Sequence, residues 1–164
     1  KNLILLTCFC LCSCGVRANR FQDSLVIRSQ QDPALSANGD FLAMIVDYNG
    51  RPSVQLRDLR SGQLIKLRHL SRNQPHSSPS LSWNGRYLAL IVQRGNQRLA
   101  MIEDRLTGRK HKLLTPGERI PVRLSLSPDA RQLAIQMADR GKWRVELFDL
   151  DKTIEPDNPR GSNF

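Results

Sequence analysis

The chain has 164 residues, 40% of them hydrophobic, which is enough for one domain with a core and excludes wholesale disorder. Its 25 Lys and Arg against 15 Asp and Glu leave a net charge of +10, so an acidic partner or surface is expected, though charge alone does not name it. All 4 cysteines, Cys8, Cys10, Cys12 and Cys14, fall within residues 8–14, which excludes a disulfide framework or a zinc site in the domain that follows.

Residues 1–18 read as a secretory signal: Lys1, an apolar run from Leu3 to Cys12, then small residues. The run is far shorter than the roughly 20 residues of a membrane span. Leu11-Cys12-Ser13-Cys14, followed by Gly15, resembles a bacterial lipobox in which Cys14 is lipidated and becomes the mature N-terminus. Val16-Arg17-Ala18 offers ordinary cleavage instead, and an uncleaved anchor is the third outcome. The expected location is periplasmic, with membrane attachment only through a lipid at Cys14.

Residues 19–31 form a polar linker carrying one short strand, Leu25 to Arg28, that belongs to no complete repeat. Beyond it the chain repeats itself. Ser36-Ala37-Asn38-Gly39 recurs after 46 residues as Ser82-Trp83-Asn84-Gly85 and after another 45 as Ser127-Pro128-Asp129-Ala130. Each is followed by an apolar run (Leu42 to Val46, Leu88 to Val92, Leu133 to Met137), a polar loop with a glycine, and a strand ending in Asp58, Asp104 or Asp149. A period of about 40 to 45 residues is that of propeller blades with four strands each, here called a to d. The predicted fold is all-β, with three antiparallel blades on the four-stranded plan over residues 32–154 and a polar tail over 155–164.

Within a blade, Asn38-Gly39 predicts a two-residue hairpin with positive φ at both central residues. The b strands are nearly continuous apolar runs, which predicts burial on both faces, with Leu42, Leu88 and Leu133 equivalent between blades. Strand c then leaves through Asp58 to Gly62 or Asp104 to Gly108, where the aspartate caps turn amides and the glycine supplies positive φ. After Asp149 no turn glycine follows, so the third blade lacks a strand d of its own.

These repeats, with Ser-x-Asn-Gly or Ser-Pro-Asp-Ala, then Leu-Ala, then an Asp-x-x-Ser/Thr-Gly turn, resemble the TolB-type propeller repeat over about Asp32 to Asp151. The resemblance implies a non-enzymatic propeller in a bacterial envelope complex of the Tol-Pal kind. It also carries two departures: the α/β domain that precedes the TolB propeller is missing from this sequence, and three blades are fewer than the four or more of a closed ring. Two copies would supply six, so a homodimer is expected, with Leu25 to Arg28 of one chain pairing beside Arg144 to Asp149 of the other.

No catalytic, cofactor or metal residue is expected. His69, His76 and His111 lack metal-ligand spacing and read as surface or turn residues, and neither a Gly-x-Ser-x-Gly elbow nor a glycine-rich phosphate loop occurs. Trp83 reads as inter-blade packing, whereas Trp143 falls among basic loop residues. Propeller topology puts the b–c and d–a connections at one end and the a–b and c–d turns at the other. The first end collects ten Arg and Lys against four carboxylates, the second eight against seven. Arg51, Arg94, Arg98, Arg140 and Lys142 on the first end are therefore the expected partner-binding residues, facing an envelope protein or, alternatively, an anionic envelope polymer or lipid. Export and an aromatic content of 5% argue against nucleic acid.

Overall fold

The computed structural model describes residues 28–70, 73–115 and 119–158. The expected signal, Cys14 and Leu25 to Ile27 lie outside them. Eleven strands and no helix occur among the described residues: β1 Gln30–Leu35, β2 Phe41–Asp47, β3 Pro52–Asp58, β4 Leu64–Ile65, β5 His76–Leu81, β6 Tyr87–Arg94, β7 Gln97–Asp104, β8 Arg109–Leu113, β9 Ile120–Leu126, β10 Gln132–Asp139 and β11 Lys142–Asp149. They form three antiparallel meanders, β1-β2-β3-β4, β5-β6-β7-β8 and β9-β10-β11. Three consecutive blades therefore follow the repeat, and among the described residues the third has only strands a to c, in line with the missing turn glycine.

The blades pack through their middle strands. Ala43, Ile45, Val54 and Leu56 of the first blade meet Leu88, Leu90, Val92 and Met101 of the second in one buried cluster. The opposite face of the second blade, Tyr87, Ala89, Ile91, Ala100 and Ile102, meets Leu124, Leu133, Ile135 and Met137 of the third in another. A strand sandwiched between two sheets has no solvent face, which is why Tyr87–Val92 are all buried and the run is apolar throughout. Leu88 and Leu133 are buried between blades as expected, but Leu42 is only half-buried.

The a–b turns differ from the expected two-residue hairpin. Only Gly39 carries positive φ (76°), and Asn38 does not. The loop is wider: Gly39 donates its N–H to the Ser36 carbonyl at 2.9 Å, and the Ser36 hydroxyl accepts the Phe41 N–H at 2.9 Å. Ser82 and Ser127 accept from Tyr87 and Gln132 at the same distance, so the repeated serine is a turn clasp. Hairpins with positive φ at both central residues occur at the other end of the sheets, in Asn49-Gly50 (55° and 78°) and Arg140-Gly141 (48° and 77°).

The repeated aspartates cap turns as predicted. Asp58 Oδ1 accepts the Arg60 and Ser61 amides at 2.8 and 3.1 Å, Asp104 Oδ1 those of Leu106 and Thr107 at 2.9 and 3.2 Å, and Asp149 Oδ1 that of Asp151 at 3.0 Å. Amides also bridge the blades. Trp83 accepts from Asn38 through its carbonyl and donates to the Pro128 carbonyl, at 3.1 and 2.6 Å, so its backbone ties all three a–b turns together.

Candidate functional site

The five expected partner-binding residues sit on three successive b–c hairpins at one end of the sheets. Arg51 closes the β2–β3 hairpin, where Tyr48 and Arg51 exchange backbone hydrogen bonds at 3.0 and 3.2 Å. Arg94 and Arg98 flank Gly95-Asn96, but their strand partners are Gln97 and Gln93 respectively, so they point to opposite faces of their sheet. Arg140 lies at the tip of the β10–β11 hairpin and Lys142 just past it; both are exposed. The five are thus spread along a rim and do not converge on a pocket.

Electrostatics separates them from their neighbours. Arg144 pairs with Asp139 at 3.1 Å, and Arg119 bridges Asp139 and Glu146, so these cations are neutralised within the blade. Among the described residues none of the five expected cations enters an ion pair. At the opposite end Arg60 pairs with Asp40, Arg86 with Asp104 and Glu155, and Arg131 with Asp129 and Asp151.

The turn end holds two features that the sequence reading missed. Asp157, in what reads as a polar tail, is 5% exposed. Its Oδ2 accepts the Ser82 hydroxyl at 2.6 Å and the Asn84 amide at 2.8 Å, and Oδ1 accepts from Asn84 Nδ2 at 3.2 Å. In the first and third blades the equivalent serine instead donates to the residue two positions on, Asn38 or Asp129. A partner 75 residues away leaves no local sequence signal. Beside Asp157 a cleft of about 760 Å³ opens between the first two blades.

His76 departs from what the sequence leads one to expect of the histidines. His76 is neither a surface nor a turn residue: it is 3% exposed at the start of β5, and its Nδ1 accepts the Val54 N–H of the first blade at 3.1 Å. Burial lowers its pKa to about 4, so it stays neutral and acts as an inter-blade acceptor. No group of three or more metal-binding side chains occurs among the described residues.

This architecture is a TolB-like β-propeller fold, seen over three blades. No protein-family model matches the sequence, and no curated protein matches it. Solved structures do. TolB from Acinetobacter baumannii superposes with a TM-score of 0.59 at 20% identity, over 76% of this chain and 31% of that one. The protein assigned as TolB in Agrobacterium tumefaciens gives 0.62 at 16%, over 80% and 48%. The β-propeller domain of the trilobed protease from Pyrococcus furiosus gives 0.57 at 18%, over 82% and 44%. At such identities the likeness is one of fold, and the chain spans less than half the length of each. The last comparison also shows that this fold occurs in a protease, so fold by itself does not decide for or against catalysis.

Proposed function

We propose that this chain is a non-enzymatic, exported propeller protein that serves as an interaction scaffold in the bacterial cell envelope, in an assembly of the Tol-Pal kind. The observation that carries the reading is the rim of Arg51, Arg94, Arg98, Arg140 and Lys142, five cations on successive hairpins that have no described carboxylate partner, whereas Arg60, Arg86 and Arg131 at the other end are each paired. Charge at hairpin ends on a rigid sheet scaffold, exposed at Arg51, Arg140 and Lys142 and half-exposed at Arg94 and Arg98, suits recognition of an acidic protein surface and speeds its encounter. Neutralising Arg94, Arg98, Arg140 and Lys142 together should abolish capture of a partner from envelope extracts, while neutralising Arg60, Arg109 and Arg131 at the other end should not. Equal loss from both sets would reduce the effect to total charge and sink the reading.

A second class of ligand, an anionic envelope polymer or lipid, uses the same rim. Steep salt dependence of binding to pure anionic vesicles or wall polymer would favour it.

We further propose that a second copy covers the third blade. Its outward face is apolar and open: Ile120, Trp143, Val145 and Leu147 are 49%, 65%, 72% and 65% exposed. Two three-blade units make a six-bladed ring and cover one another's end faces. A solution mass of one chain would defeat the dimer.

A further inference from the structure

Arg105 breaks the repeat at one position. The residue after the capping aspartate is Leu59 in the first blade, Arg105 in the second and Leu150 in the third. Their backbone settings match: the amides of Leu59, Arg105 and Leu150 donate to the carbonyls of Asp40, Arg86 and Arg131 at 2.8, 2.9 and 2.8 Å. Leu150 is 1% exposed and belongs to the core between the second and third blades. The fold therefore offers this position an apolar inter-blade site, and in the second blade it holds a guanidinium.

That guanidinium is poorly compensated. It donates to the Gly85 carbonyl through Nη1 and lies 4.5 Å from the centre of the Phe41 ring of the first blade. Its Nε is buried without a hydrogen-bond partner. Asp58, Glu103 and Asp157 act on it through space, but none lies within ion-pair distance, and each is already engaged. Turn amides of Arg60 and Ser61 hold Asp58, the Arg68 and His69 amides hold Glu103 at 3.0 and 3.3 Å, and Ser82 and Asn84 hold Asp157. The other cations of the cleft, Arg60 and Arg86, have carboxylates in contact.

Space for a ligand is present. Arg105, Phe41 and Leu106 line the cleft of about 760 Å³, and Leu106 is 74% exposed. The rest of the lining is polar, and its two carboxylates are occupied, Asp40 by Arg60 and Asp157 by Ser82 and Asn84. A half-buried cation beside two apolar side chains recognises an anion attached to an apolar group, because dehydration strengthens the charge contact while Phe41 and Leu106 take up the attached group. Gly85 lets the Phe41 ring and the Arg105 guanidinium pack against its backbone: a Cβ there would come within 2.7 Å of Phe41 Cδ2 and 3.1 Å of Arg105 Nη1.

We propose that this inter-blade cleft binds a peptide carboxylate, carried by an apolar C-terminal residue or by an acidic side chain beside an apolar one, with Arg105 as its counter-charge. The site lies at the opposite end of the blades from the basic rim and does not depend on it.

The test is titration of the full chain, followed by NMR, with three short probes: N-acetyl-Ala-Ala-Phe with a free C-terminus, the same peptide amidated, and N-acetyl-Ala-Glu-Phe amide. Saturable shifts at Arg105 and Gly85 are expected with at least one acid-bearing probe and not with the amide that lacks a carboxylate; which acid binds separates terminus from side chain. Arg105→Leu installs the side chain that the neighbouring blades carry, so it should fold with an unchanged or higher Tm, while binding weakens about tenfold or more. Arg105→Lys keeps the charge without the planar fork and should bind between the two. Absence of saturable shifts from all three probes, or equal affinity in Arg105→Leu, would overturn the proposal and leave Arg105 a structural clamp on Gly85.

Discussion

The second and third blades share the serine clasp, the turn-capping aspartate and an apolar b strand, yet their fates differ. Tyr87–Val92 are all buried, whereas Leu133–Met137 alternate between buried and half-exposed. The strands after them diverge further: Ala100–Asp104 are buried, while Lys142–Val145 are exposed. The lesson is that a blade's interior is made by its neighbours. The same repeat yields a core where sheets lie on both sides and an open apolar face where one is missing.

Truncation should show the largest contrast. Leu88→Ala removes a fully buried side chain from between two blades and should cost about 2 to 5 kcal/mol, read from the urea midpoint. Leu147→Ala, on the open face at 65% exposure, should cost under about 1 kcal/mol in the isolated chain. Similar costs for both would mean that the third blade's outer face is covered.

Acid should attack the interface between the first and second blades. His76 titrates near 4 when folded against its ordinary 6.5, so between these values the unfolded chain binds the extra proton. Its contribution, at most about 3 kcal/mol, is present above pH 6.5 and lost as pH falls toward 4. His76→Asn, which keeps an acceptor for the Val54 amide but cannot titrate, should flatten that slope. An unchanged slope would place the proton uptake elsewhere.

A smaller effect separates equivalent turns. Gly39, Gly85 and Ala130 occupy one position with φ of 76°, 64° and 62°, so the third blade already accommodates a methyl group there. Gly39→Ala meets no atom within 4 Å and should cost only the left-handed conformation, about 1 kcal/mol. Gly85→Ala also drives its Cβ into Phe41 and should cost more, about 2 kcal/mol. Equal melting temperatures for the two variants would show that Phe41 yields freely.

The repeat was legible because its residues act locally. Ser36, Ser82 and Ser127 clasp their own turns, Asp58, Asp104 and Asp149 cap theirs, and a middle strand needs apolar side chains wherever it lies; each signal sits within a few residues of its effect. Blade number, strand order and, among the described residues, the absence of a fourth strand in the third blade followed from these. Tertiary structure alone decided which interactions join distant segments: Asp157 reaching Ser82, His76 accepting from Val54, and Arg105 stacking on Phe41 in a leucine's place. Those contacts span 75, 22 and 64 residues, and no periodicity encodes them, since each depends on how one blade lies against the next. The turn type at Asn38-Gly39 was misread for a related reason. The serine hydroxyl that closes the wider loop competes with the tight hairpin, and only the paired strands show which one wins.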